Sequence, residues 1–220
     1  MNIEIKKRII TSIFLLALLV LMYLYSFVMM ISLIVISIIV WIEFYAIISK
    51  IITNESIKNR AQRFLYKSIS LLYLSSIVYF VLSIVFYYPN LKIYLLYSTL
   101  ITVLSDVGGL VFGKIFKGPK LTKISPNKTV SGCIGSFLSS LCLMPFFYNG
   151  LTEQSLPSLF LITILISLIA QLGDLLISYL KRKANVKDTS DLLPGHGGFL
   201  DRIDGLIFAA PLGTLLFNFT

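Results

Sequence analysis

From Ile9 to Ile48 the chain is apolar almost without interruption, for roughly 40 residues where one bilayer span needs about 20. A soluble helix carries an apolar stripe on one face, whereas a run apolar all round belongs in lipid or deep inside a large core. Lys6, Lys7 and Arg8 precede the run, as they would in a secretory leader. The run is too long for the apolar region of a leader, and no small-residue cleavage motif follows. The segment is therefore expected to be retained, as two spans joined by a tight turn. Composition decides between lipid and core: 57% of the 220 residues are apolar, 13% are charged, and mean hydropathy is +0.90. Soluble domains carry about a quarter charged residues. A cytosolic globular protein and a disordered chain are both excluded, leaving an all-α, polytopic membrane protein.

Seven apolar runs are candidate spans: 9–26, 27–48, 69–88, 93–113, 132–149, 156–180 and 205–219. Turn signals fall between them at Tyr88-Pro89-Asn90 and Asn149-Gly150. No repeat, low-complexity tract or linker divides the chain, so residues 1–220 are expected to form a single integral-membrane domain. All of the 19 Lys and Arg residues except Lys92 fall on one side of this arrangement, before the first span or in the second, fourth and sixth loops. The positive-inside rule makes that side cytoplasmic and puts the C-terminus outside. A net charge of +9 would suggest nucleic acid in a soluble chain. Here topology accounts for it, and no nucleic-acid partner is expected. Cys133 and Cys142 would be roughly 13 Å apart along one helix, too far for a disulfide, and read as small fillers.

Ionisable residues within spans are costly and are functional candidates by default. Glu43 lies in Trp41-Ile42-Glu43-Phe44-Tyr45 and reads either as an interfacial carboxylate beside an aromatic belt or as a functional group. Asp106 shares a helical face with Thr102, Gly109 and Gly113, and the glycines would let another helix approach closely. Asp174 continues a polar stripe of Ser167, Gln171 and Ser178 that runs on to Lys181. A helix seam explains the small residues and Gln171 but does not require a carboxylate.

The densest constellation spans residues 178–204. There His196, the one histidine of the chain, stands between Gly195 and Gly197-Gly198, amid Lys181, Arg182, Lys183, Lys187, Arg202 and the pair Asp201 and Asp204. An anionic-lipid contact would explain the basic residues alone. Glycine-rich backbone approaches phosphates closely, Lys and Arg neutralise them, and carboxylates hold Mg²⁺. These are parts for handling a nucleoside triphosphate at a membrane surface.

This segment resembles the signature of the phosphatidate cytidylyltransferase (CDP-diacylglycerol synthase) family. That signature runs Ser, two residues, Lys-Arg, four residues, Lys-Asp, then Pro or Gly, one residue and His-Gly-Gly, and closes with Asp-Arg, one residue and Asp. The chain supplies Ser178, Lys181-Arg182, Lys187-Asp188, Pro194, His196-Gly197-Gly198, Asp201-Arg202 and Asp204 in register. A second block, Asp106-Val107-Gly108-Gly109 through Gly113-Lys114 to Ser125-Pro126-Asn127-Lys128-Thr129 and Gly132, resembles the family's Asp-x-Gly segment and Ser-Pro-x-Lys-Thr loop. Two positions depart: Ser131 stands where the family usually has an acid, and Gly205 where it usually has Ser. The resemblance covers about residues 100–210, and the chain is short for the family, with fewer N-terminal spans expected.

The resemblance implies condensation of CTP with phosphatidic acid to give CDP-diacylglycerol and pyrophosphate. It makes Asp174, Asp201 and Asp204 metal-associated catalytic groups holding Mg²⁺ or another divalent cation, with Ser178 nearby. Lys128, Lys181, Arg182, Lys187 and Arg202 become phosphate binders, His196, Gly197 and Gly198 lie on the triphosphate loop, and Asp106 borders the same site. His196 is assigned no general-base role, because a phosphate monoester is already ionised near neutral pH. The site is expected at the cytoplasmic face of a bacterial-type cell membrane, and a homodimer is compatible with the family. Two other classes remain open: a CTP-dependent lipid kinase, and a cation-coupled transporter using Asp106 and Asp174 as an ion relay.

Overall fold

The computed structural model of the chain describes residues 3–53, 56–122, 125, 128–151, 154–195 and 197–217, with side chains described from residue 10 onward. His196, Pro126 and Asn127 lie outside the described residues. The fold is all-α, with nine α-helices and no strand among the described residues. Five stretches are long and apolar enough to cross a membrane: Ser26–Ile51, Ile57–Phe86, Pro89–Phe116, Val130–Phe147 and Leu156–Lys183. The chain is an integral membrane protein. Each of the seven apolar runs contains helix among the described residues, and the helix Leu206–Leu216, at 11 residues, is shorter than a full span. The chain divides into two compact units, Met1–Tyr87 with Leu180–Ile203, and Tyr88–Tyr179 with Asp204–Thr220.

The first unit contains α1 (Ile3–Leu24), α2 (Ser26–Ile51), α3 (Ile57–Phe86) and the short α8 (Leu200–Ile203). Tyr25, in extended conformation, breaks the long apolar run into α1 and α2. The sequence pattern puts Lys58, Arg60, Arg63 and Lys67 in a loop, but α3 begins at Ile57 and carries them on its first turns. Two local causes explain this: Ser56 caps the helix by accepting from Asn59 N at 3.3 Å, and Lys and Arg are good helix formers. Lys67 is then put to use against α2. Its carbonyl accepts from Trp41 Nε1 at 3.2 Å, and its ammonium stands 3.2 Å above the centre of the Tyr45 ring. Val40, Glu43, Ile47 and Ile48 form the buried side of α2, while Ile34, Val35, Ile38 and Ile42 are exposed, a face suited to lipid.

The second unit contains α4 (Lys92–Phe116), α5 (Val130–Leu141), α6 (Met144–Phe147), most of α7 (Leu156–Lys183) and α9 (Leu206–Leu216). The fifth apolar run is broken after Leu141, because Pro145 cannot continue the hydrogen-bond ladder of α5. Its core is made by Tyr97, Ile101, Leu159, Ile162, Ile166, Ala170, Ala209 and Phe217. Buried hydroxyls cross the helix seams: Tyr97 with Thr163 at 2.6 Å, Ser105 with Ser167 at 2.9 Å, and Ser136 donating to the Ser105 carbonyl at 2.7 Å. Such bonds contribute about 0.6 kcal/mol each in a bilayer, so they fix helix register more than they add stability. The glycine face of α4 packs on α5 as its spacing suggests. A Cβ at Gly109 would stand 2.7 Å from Ser136 Oγ, and one at Gly113 would stand 3.0 Å from Thr129 Oγ1.

Candidate active site

The second unit gathers five of the candidate residues, and the packing that does so is legible residue by residue. Gly173 on α7 lies against the turn that precedes α9. A Cβ at Gly173 would be 3.0 Å from the Asp204 carbonyl oxygen and 3.2 Å from Gly205 Cα, and one at Gly205 would be 2.8 Å from the Ala170 carbonyl oxygen. With no side chain at either position, the backbone of the turn rests directly on α7. Asp174, the residue after Gly173, is thereby brought beside Asp204. Gly205, which departs from the family's usual Ser, is the residue that this approach requires.

Lys128 reaches the same place from the α4–α5 connection. Leu121 N donates to the Lys128 carbonyl at 2.8 Å, Lys128 N to Ser125 O at 3.1 Å, and Val130 N to Pro119 O at 2.9 Å. Thr129 caps α5 by accepting from Gly132 N at 3.1 Å. Ser131 Oγ pairs with Thr129 Oγ1 at 3.0 Å and accepts from Gly118 N at 3.1 Å, so the second departure from the family pattern clasps this loop. The Lys128 ammonium forms an ion pair with Asp174, and Ser178, one turn along α7, donates to the other Asp174 oxygen at 3.3 Å.

Asp204 is buried and accepts from Gly205 N at 2.9 Å. Burial first, then the charge and hydrogen bond of Asp174 and the charge of Asp106, hold its carboxyl far above the usual carboxylate range. Two acids that meet under a third, with one ammonium among them, form an electrostatic arrangement that a divalent cation would relieve. No three His, Cys, Asp or Glu side chains among the described residues are gathered so as to hold a metal by themselves. The donor set still fits Mg²⁺, which is commonly held by one or two carboxylates with substrate phosphates and water completing its shell.

The first unit holds the remaining described candidates, with Lys181, Gly197 and Gly198 beside Asp201. α7 ends in Lys181, Arg182 and Lys183, basic residues suited to a helix C-terminus, and Asn185 leaves the helix with a φ of 55°. Lys181 Nζ donates to Asp201 Oδ1 at 2.6 Å. Asp201 Oδ2 accepts from Thr189 N at 2.7 Å, Thr189 Oγ1 at 3.0 Å and Gly198 N at 3.0 Å. Burial pushes this carboxyl up, but the Lys181 ammonium and the two amides outweigh it and hold Asp201 below the usual range. Gly197 has a φ of 81°, open to glycine and strained for other residues, and Leu193 N bonds to its carbonyl at 2.8 Å. Arg182, Lys187 and Arg202 are exposed.

The structure thus places Asp106, Lys128, Asp174, Ser178 and Asp204 in one unit and Lys181, Gly197, Gly198 and Asp201 in the other. The sequence spacing suggests that Asp201 and Asp204 share a helical face, but α8 ends at Ile203 and Asp204 lies in the following turn. Glu43, which the sequence leaves open between an interfacial and a functional carboxylate, and Thr189, which it does not single out, also join this network. Thr189 Oγ1 lies 3.0 Å from carboxylate oxygens of both Asp201 and Glu43. The signal for Glu43 was its charge inside an apolar run. Nothing local marked Thr189.

Residues 2–220 match the sequence profile of the Cytidylyltransferase family. Phosphatidate cytidylyltransferase of Staphylococcus haemolyticus is 43% identical over 127 residues, covering 56% of this chain and 48% of its own length. The Staphylococcus aureus protein of the same name is 40% identical over 148 residues, covering 65% and 57%. That of Staphylococcus epidermidis is 42% identical over 126 residues, covering 56% and 48%. The chain spans about half the length of the curated relatives it matches.

Proposed function

The chain belongs to the cytidylyltransferase family, and from that premise we propose that it condenses CTP with phosphatidic acid to CDP-diacylglycerol and pyrophosphate at the cytoplasmic face of a cell membrane. The observation that carries the reading is the meeting of Asp174, Asp204 and Lys128 beside Ser178. A phosphate oxygen of phosphatidic acid attacks the α-phosphorus of CTP, a new P–O–P bond forms, the α–β phosphoanhydride bond breaks, and pyrophosphate leaves with its electron pair. Such a step needs charge neutralisation and alignment more than covalent help. Asp174 and Asp204 would hold Mg²⁺, which when bound neutralises charge on the attacking and leaving oxygens.

The chain's own residues supply the rest. Lys128 is a cation that phosphate could compete for against Asp174, and Ser178 orients that carboxylate. Lys181, Lys187, Arg182 and Arg202 bind phosphate by resemblance to the family signature, with His196 and the glycines beside it on the triphosphate loop. Asp201, whose oxygens are taken up by Lys181, Thr189 and Gly198, acts in this reading by holding that loop in shape. No base is required, since the attacking phosphate is ionised near neutral pH.

The test uses purified protein with vesicles containing phosphatidic acid, Mg²⁺ and CTP labelled at either the α- or the γ-phosphate. The proposal predicts α-label in chloroform-soluble lipid and γ-label only in pyrophosphate. Lipid carrying γ-label would make the protein a CTP-dependent lipid kinase, and no lipid label at all would remove both readings.

A further inference from the structure

Glu43 is a carboxylate in the C-terminal third of an apolar helix, 3% exposed, and it is absent from the chemistry described above. Its partners are long-range. Oε1 accepts from Ser190 Oγ at 2.6 Å and Phe199 N at 3.1 Å, and Oε2 accepts from Thr189 Oγ1 at 3.0 Å and Leu200 N at 2.7 Å. Four donors from both limbs of the signature segment, residues 189–190 and 199–200, therefore close on one side chain of α2. A carboxylate buried this deeply is stable only when its lone pairs are satisfied. The converse also holds for the Phe199 and Leu200 amides at the start of α8, which would lose the acceptor they share, whereas the Thr189 hydroxyl would keep Asp201.

Gly198 has no side chain because there is no room for one. A Cβ there would stand 2.0 Å from Thr189 Oγ1 and 2.5 and 2.6 Å from the two Glu43 oxygens. Thr189 Oγ1 lies 3.0 Å from both Glu43 Oε2 and Asp201 Oδ2 and has one proton for the two acceptors to share, so its hydroxyl stands between Glu43 on α2 and Asp201, which in turn holds Lys181. We propose that Glu43 is the positioning residue of the signature segment: it sets the conformation in which residues 189–190 and 197–200 meet the triphosphate of CTP, without touching substrate itself. This inference rests on the reading of that segment as the CTP-binding loop.

Glu43→Gln tests it with little change of size. In either amide orientation, one backbone amide, Phe199 or Leu200, faces an NH₂ group in place of an acceptor. Hydrogen bonds to charged groups are strong enough that losing one should speed exchange of those two amides by roughly 10- to 100-fold. The KM for CTP should rise by a similar factor of about 10 or more, with the KM for phosphatidic acid unchanged, a split that a general loss of stability would not produce. If the wild type transfers no CMP to lipid, the enzymatic reading falls, and amide exchange alone decides whether Glu43 holds the segment. If Glu43→Gln does not fold, Ser190→Ala removes one of the four donors and should move both readouts the same way by a smaller factor. Wild-type exchange at Phe199 and Leu200, or a wild-type KM for CTP despite faster exchange, overturns the proposal.

Discussion

Replacing Gly173 by Ala adds one carbon at the place where α7 meets the turn before α9. That carbon would stand 2.6 Å from Phe208 Cδ2, 3.0 Å from the Asp204 carbonyl oxygen and 3.2 Å from Gly205 Cα, where ordinary contact begins at 3.4 Å. The shortfalls are about 0.8, 0.4 and 0.2 Å (3.4 less each distance). The Phe208 ring has some freedom to turn, but the other two atoms are backbone and must move with the turn. Overpacking of this kind costs about 1–3 kcal/mol, against a gain of about 0.8–1.0 kcal/mol from replacing Gly by Ala inside a helix. The net is a loss of about 0–2 kcal/mol, and melting does not report where the carboxylates sit. Position is the better one. Asp204 would be pushed away from Asp174 by a few tenths of an ångström, and misplacement on the scale of 1 Å costs about 10²-fold in rate. The expected result is a fall in kcat of about 4- to 10-fold for α-labelled CTP into lipid, with an apparent melting temperature unchanged or lowered by a few degrees. Turnover within about twofold of wild type would refute the argument that this close approach sets the carboxylate pair.

Asp174→Asn keeps the size of the side chain but removes its charge and should lower kcat by about two orders of magnitude; a rate near wild type would remove Asp174 from the site. Gly198→Ala drives a methyl into Thr189 and both oxygens of Glu43, and should abolish CTP binding measured with labelled nucleotide while the protein still elutes as a folded species. Unaltered binding would show that the loop tolerates a different arrangement. Single cysteines at Lys58, Lys120 and Lys183, all exposed, should react with impermeant reagent only from the cytoplasmic side. Mixed labelling would mean that a helix crosses the membrane otherwise than the basic residues indicate.

The membrane character of this chain was legible because lipid imposes a composition on every turn of a spanning helix, as Ile9–Ile48 shows. The start of α3 was not. A basic stretch reads as a loop, and only the Ser56 cap distinguishes it from the first turns of a helix. The break at Pro145 was not read either, because hydropathy averaging over 132–149 conceals it. Within the site, Asp106, Asp174 and Lys128 stood out as charged residues on small-residue faces or in motif positions, and all three lie in the second unit. What spacing alone could not give was the division of labour between Asp201 and Asp204, since the end of α8 and the contact of Gly205 with Ala170 depend on tertiary packing. Glu43 was visible as an anomaly, but its partners lie between 146 and 157 residues away along the chain, beyond the reach of any local pattern.

In the proposed reaction, Asp174 and Asp204 form the place where a divalent cation and CTP meet. A Mg²⁺ titration of α-label transfer to phosphatidic acid, starting from chelated protein and run on wild type and Asp174→Asn together, tests it most directly. Expected are no lipid label in chelator, full recovery of the wild type on adding Mg²⁺, and no recovery of Asp174→Asn at concentrations that saturate the wild type. Transfer at the wild-type rate in chelator, or an Asp174→Asn protein with the same Mg²⁺ dependence and turnover as wild type, would contradict it.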